Sequence, residues 1–111
     1  MNDLNFFPSY EHLLGSRKKT TTIRLGTAEY APGEIVNLTV GWSEPGGRII
    51  HKAEILKVYS KALRELVVGD LEGESPDCLS PEAVPFVIGC IYRKVLSGTD
   101  LVTIVKFKHI E

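Results

Sequence analysis

Between Arg17 and Arg24 the chain runs Arg17-Lys18-Lys19-Thr20-Thr21-Thr22-Ile23-Arg24, cations on both sides of a block of hydroxyls. Guanidinium groups take phosphate bidentately and ammonium groups take it as point charges. Arg17, Lys18, Lys19 and Arg24, with the hydroxyls of Thr20 and Thr22, therefore make a candidate phosphate or nucleotide site. The same stretch holds the parts of a second chemistry. A threonine hydroxyl is a poor nucleophile until a base removes its proton, and a lysine serves as that base only where desolvation or neighbouring cations favour its neutral form. Taken alone, a Lys-Thr-x-Thr stretch is ordinary solvated surface of good β-propensity, and Arg17-Lys18-Lys19 a solvated loop. Downstream, Glu72, Glu74 and Asp77 form an acidic cluster that by itself reads as a solubilising loop.

The elements that must position these groups follow from periodicity. Thr21, Ile23 and Leu25 share one face of a strand from Thr20 to Gly26, and Thr20, Thr22 and Arg24 share the other, so one face packs and the other carries hydroxyls and a guanidinium. A site there requires that the second face open on a concave, accessible hollow. Ala31-Pro32-Gly33 is a turn into a second strand, in which Val36, Leu38, Val40 and Trp42 alternate with Ile35, Asn37, Thr39 and Gly41. Ser43-Glu44-Pro45-Gly46-Gly47 returns the chain antiparallel through Arg48 to Tyr59. Within that strand the apolar parity flips between Ala53 and Ile55 on one side and Leu56 and Val58 on the other, which predicts a bulge near Ile55-Leu56.

Helical signals are short. Ser9 caps a helix through Tyr10 to Leu14 that Gly15 stops, and Leu63, Leu66 and Val67 mark another short helix before an acidic loop from Asp70 to Asp77. Ser80 as N-cap and Pro81 at the first position open a third, with Val84, Val87, Ile88, Ile91 and Val95 as its apolar stripe. Pro85 inside that pattern removes a backbone hydrogen bond, so the first turn is irregular or the helix starts later. Ser97-Gly98-Thr99-Asp100 turns into a last strand, Leu101 to Ile110. Four or five strands joined by turns, with helices inserted, argue a small α+β barrel over a parallel βαβ fold.

Composition sets the outer bounds. A chain of 111 residues, 43% apolar and 24% charged, suits one globular domain over residues 1–111. A net charge of −1 gives no whole-molecule attraction to a polyanion, so affinity for nucleic acid must come from a local patch. No apolar run approaches the ~20 residues of a membrane helix, and Met1-Asn2-Asp3-Leu4 lacks the order of a signal peptide; the expectation is a cytoplasmic protein without a membrane partner. Cys78 and Cys90 read as free thiols, and no Cys or His set has zinc spacing, so neither a metal nor another cofactor is expected. His12, His51 and His109 each stand alone in sequence. Trp42 fills the core on its alternation, while Tyr30 and Tyr59 are the stacking candidates.

Lys19-Thr20-Thr21-Thr22-Ile23-Arg24 resembles, over six consecutive positions, the Lys-Thr-x-Thr-Ile-Arg signature of ASCH domains, a branch of the PUA-like superfamily. Pro32-Gly33-Glu34-Ile35-Val36 resembles the start of the family's second strand. Lys52 to Leu66 resembles its third strand and Leu-x-x-Leu helix, Glu72-Gly73-Glu74 its acidic element, and Val105-Lys106-Phe107-Lys108 its closing strand. The resemblance spans roughly residues 5–109 and implies a small PUA-like barrel of about five strands with two or three short helices. It also implies an RNA- or nucleotide-binding module acting through a cleft beside the motif strand; a monomer is expected. Small one-domain relatives include amidohydrolases that deacetylate acetylcytidine, in which the motif lysine and second threonine work with a downstream carboxylate. That resemblance places Lys19 and Thr22 in those roles, with Asp77 as the carboxylate and Glu72 or Glu74 as alternatives. Ser16, Arg17 and Lys18 separate Gly15 from Lys19, a wider gap than the family's, so Lys18 rivals Lys19 as the motif lysine. An amidohydrolase and a protein-interaction module using the Pro81 to Val95 helix stand as the alternative functions.

Overall fold

The structure is a computed structural model that describes residues 3–6, 8–27, 29–41, 48–74 and 80–110. Trp42, the turn from Ser43 to Gly47, Asp77 and Cys78 lie outside the described residues. Five strands, β1 (Asp3–Phe6), β2 (Thr21–Leu25), β3 (Ile35–Val40), β4 (Arg48–Ala62) and β5 (Leu101–His109), form one sheet in the order β1-β3-β4-β5-β2. The β1–β3 pairing is parallel and the other three are antiparallel. Helices α1 (Glu11–Gly15) and α2 (Val84–Tyr92) flank the sheet.

β4 explains why the sheet curls. Drawn straight, its 15 residues would run roughly 45–50 Å at ~3.3 Å per residue, yet the longest dimension of the molecule is 34 Å. The strand must bend, and it does so where its register with β5 slips between Ile55 and Lys57, leaving Leu56 exposed. This is the bulge that the parity flip predicts. β4 pairs with β3 from Arg48 to Glu54 and with β5 from Ala53 through the slip to Ala62, so one bent strand turns the sheet into a half-barrel.

The curl separates two cores. Inside it, Phe6 of β1, Leu38 of β3, Ile55 of β4 and Phe107 of β5 pack with Leu14 of α1. On the outer face, Ile23 of β2 and Val102 and Ile104 of β5 pack with Leu63, Val84 and Ile88. Helix α2 begins at Val84, not near Pro81, and Pro85 therefore sits in the first turn, where its missing N–H costs nothing. Val84 and Ile88 are buried as the stripe requires. Val95 lies beyond the helix and is almost wholly exposed, so it leaves the predicted stripe.

Three further expectations change. The Leu63 helix shrinks to a 3₁₀ turn, Leu63–Glu65, with Leu63 and Leu66 buried but Val67 exposed. Among the described residues of the acidic segment, Asp70 is buried in a second 3₁₀ turn, Val68–Leu71, and Glu74 is buried beyond it, while Glu72 is exposed. Strand β1 was not foreseen at all. Its parallel register, Asp3 with Asn37 through Phe6 with Val40, gives the sheet its fifth strand.

Candidate functional site

Strands β1 and β2 are the two edges of the sheet, and neither bonds to the other. The curl brings them face to face, leaving a seam rather than a closed barrel. A cavity of about 350 Å³ lies in that seam, lined by Asn5 and Phe6 of β1, Tyr10, Thr22 and Arg24 of β2, and Tyr92 at the end of α2, with Ile23 and Ile91 beside them. The register shows why Thr22 and Arg24 reach it. They pair with Val105 and Thr103 of β5, and Val105 belongs to the inner core, so both point to the inside of the curl. Thr21 and Ile23 point the other way.

Arg24 is the unusual member. Its Nε and Nη2 are sealed from solvent and have no hydrogen-bond partner among the described residues. The guanidinium carbon stands 4.8 Å from the centroid of the Phe6 ring, bridging the seam by a cation–π contact. Burial pulls the group below the ordinary arginine range, with Tyr92 and Tyr30 opposing that fall. Asn5, by contrast, is spent on structure: its amide nitrogen donates to the Gly41 carbonyl at 3.0 Å and its oxygen accepts from Thr39 Oγ1 at 2.8 Å.

Behind the cavity lies a buried ion pair. Lys19 Nζ bonds the Glu74 carboxylate, with both side chains almost fully enclosed. The same ammonium sits 4.9 Å from the Tyr10 ring centroid and 5.7 Å from that of Phe6, two residues that wall the cavity. Of the two candidate carboxylates among the described residues, Glu72 and Glu74, Glu74 is thus the one placed opposite Lys19. Glu72 is exposed, and what it offers the motif strand is its backbone carbonyl, which accepts from Thr21 Oγ1 at 2.5 Å. Gly73 makes the placement possible. Its carbonyl accepts the N–H groups of Thr20 and Thr21 at 2.8 and 3.1 Å, clasping the acidic segment onto the start of β2.

The remaining motif residues stand apart from the cavity. Arg17 and Lys18 are exposed in the bend after α1, with Arg17 at φ 64°, and neither lines the cavity; Thr20 lies against Gly73. Of the two stacking candidates, Tyr30 donates to the Asp3 carbonyl at 2.8 Å. Tyr59 donates to Asp70 at 2.7 Å, away from the cavity. Tyr10 and Tyr92 are the tyrosines at the site.

Two histidines expected to stand alone come together: the His51 and His109 rings meet edge to face at 5.5 Å. His109 Nε2 lies 2.8 Å from the Lys19 carbonyl oxygen, and burial lowers its pKa, against the effect of that bond. No group of three or more metal-ligating side chains exists among the described residues. A second polar cluster serves the fold, where Asp70 accepts from Tyr59, from Lys61 at 2.9 Å and from the Val67 N–H at 2.9 Å.

No family model matches the sequence, and no curated protein matches it. Solved structures do. An ASCH domain from Lactobacillus crispatus JV V101 superposes with a TM-score of 0.66 at 14% identity, covering 91% of this chain and 70% of its own. A DUF984 protein from Enterococcus faecalis V583 gives 0.68 at 14% identity over 99% and 80%. A mutant of an ASCH protein from Zymomonas mobilis gives 0.62 at 17% identity over 95% and 65%. At such identities the likeness establishes the fold, and the fold is that of ASCH domains, a small PUA-like α+β half-barrel.

Proposed function

We propose that the β1–β2 seam binds a nucleobase-bearing ligand, a nucleoside, a nucleotide or a residue of RNA, with Arg24 as its principal recognition group. The observation that carries this reading is that the buried Nε and Nη2 of Arg24 have no hydrogen-bond partner among the described residues. Leaving a buried donor unsatisfied costs about 1–3 kcal/mol, more when it is charged, and a ligand oxygen entering the seam would remove that cost. Two N–H groups on one edge of a guanidinium suit a carbonyl, carboxylate or phosphate acceptor. Phe6, Tyr10 and Tyr92 supply aromatic surface beside it, and stacking a base on such a ring contributes about 1–3 kcal/mol. The cavity volume falls in the ~300–1,000 Å³ range of small-molecule sites. Titration of cytidine into the protein should give saturable binding that Arg24→Ala weakens at least about tenfold, the scale of one charge-assisted hydrogen bond. Equal affinity of the variant would discard the reading.

A second reading, hydrolysis of an acylated cytidine, draws on a separate observation: the Lys19–Glu74 pair directly behind the Tyr10 wall, with Lys19 just ahead of the strand that carries Thr22. Water would add across the amide. The acyl carbon gains the hydroxyl, the C–N bond breaks, and the amine leaves with the second proton, giving acetate and cytidine. Lys19 would have to hand a proton to Glu74 before acting as a base toward Thr22 or water, so both members of the pair are required. Acetylcytidine should then release cytidine, and Lys19→Ala, Thr22→Ala and Glu74→Gln should each abolish the release. No turnover by the wild type at high enzyme concentration would leave the binding reading alone.

A further inference from the structure

Arg24 and Tyr92 line a second cavity as well as the first. It holds about 420 Å³ and is completed by Asp3, Thr27, Glu29 and Tyr30. Two side chains are common to both, so the seam has an inner and an outer half that adjoin at Arg24 and Tyr92. Its halves differ in chemistry. The inner half is walled by Phe6, Tyr10, Ile23 and Ile91. The outer half carries the carboxylates of Asp3 and Glu29, both exposed, and among the described residues Arg24 is the cation that lines it. Asp3 is held in place: its Oδ1 accepts from Asn37 Nδ2 at 3.1 Å and its carbonyl from Tyr30 at 2.8 Å. Burial raises the Tyr30 pKa, with Arg24 opposing the rise and Glu34 and Asp3 adding to it.

We propose that this acidic mouth makes the groove selective for ligands without phosphate, so that a nucleoside is accepted and a nucleotide or an internal RNA residue is repelled by Asp3 and Glu29. The inference rests on the reading that the apolar inner half holds the base. A base stacked there with its acceptor on Arg24 directs its sugar toward the outer half, and any phosphate on that sugar meets two carboxylates of like sign. Like charges in adjacent sites cost affinity, and salt screens the cost, whereas a steric barrier does not respond to salt.

The test compares cytidine with cytidine 5′-monophosphate by calorimetric titration at low and high salt. Cytidine should bind at least about tenfold more tightly at low salt, and the ratio should narrow as salt rises. An Asp3→Asn/Glu29→Gln double variant should narrow it about fivefold or more at low salt, and Glu29→Lys alone should shift it the same way. Equal or tighter binding of the monophosphate by the wild type would overturn the selectivity while leaving the base-binding reading intact. A ratio indifferent to salt and to the charge variants would overturn it equally. Failure of both ligands to bind would remove the underlying reading and the inference with it.

Discussion

Lys19 and Glu74 are held together with both side chains almost fully enclosed, so each is the counter-charge that makes the other's burial tolerable. Removing one partner of such a pair strands a charge and costs about 3–5 kcal/mol, while replacing both with apolar groups of similar volume is near neutral. Lys19→Met or Glu74→Leu should therefore each lower stability by that amount in denaturant titrations, and the double variant should recover most of the loss. Asp70 behaves differently. Burial by itself would raise its pKa, but hydrogen bonds from Lys61, Tyr59 and the Val67 N–H outweigh that and hold it at about 2, against an ordinary 3.8. A depressed carboxylate stabilises the fold above its unfolded pKa and ceases to as pH falls through the folded one. Stability should thus decline between about pH 4 and pH 2, and Asp70→Asn should flatten that part of a thermal-melt profile. At this scale the sequence made Lys19, Thr22 and Arg24 legible through their spacing and parity. It left three carboxylates open, because spacing along a loop does not say which side chain turns inward. Phe6, Tyr10 and Tyr92 were beyond it, since their meeting depends on β1 and the turn after it coming against the end of α2, far along the chain.

Gly73 connects two of these elements. It lies at φ +86°, and a Cβ there would collide with Thr20 Oγ1 while crowding Thr21 Oγ1 at 3.2 Å. Gly73→Ala should lose on the order of 2 kcal/mol through backbone strain and the broken clasp. It should also shift the Thr20 and Thr21 amide resonances, because their N–H groups bond the Gly73 carbonyl. A variant as stable as the wild type would contradict the clasp. Among the elements, β2, β3 and β4 were readable from period-two alternation, the bulge from one break in it, and β5 from the turn that precedes it. β1 was not, because a four-residue edge strand is too short to show a period and its parallel partner lies 34 positions away at Asn37. The start of α2 was readable only as two alternatives. Pro85 chose between them, since proline is free of cost in a first helical turn and nowhere deeper.

Across the whole molecule, the bend in β4 curls the sheet until its two edges confront each other, and the groove is what remains where they do not join. The net charge of −1 adds no long-range pull on a polyanion, and one enclosed arginine is the cation offered to a ligand there. A plot of log affinity for cytidine against log salt should therefore be nearly flat, in contrast to the slope of about −0.7 per neutralised phosphate expected for single-stranded RNA. The most direct test of the account is amide chemical-shift mapping of cytidine onto labelled protein. The account predicts perturbations concentrated on Asn5, Phe6, Tyr10, Thr22, Arg24 and Tyr92, and their disappearance in Arg24→Ala at the same cytidine concentration. Perturbations that bypass the β1–β2 seam, or that persist unchanged without the Arg24 guanidinium, would contradict it.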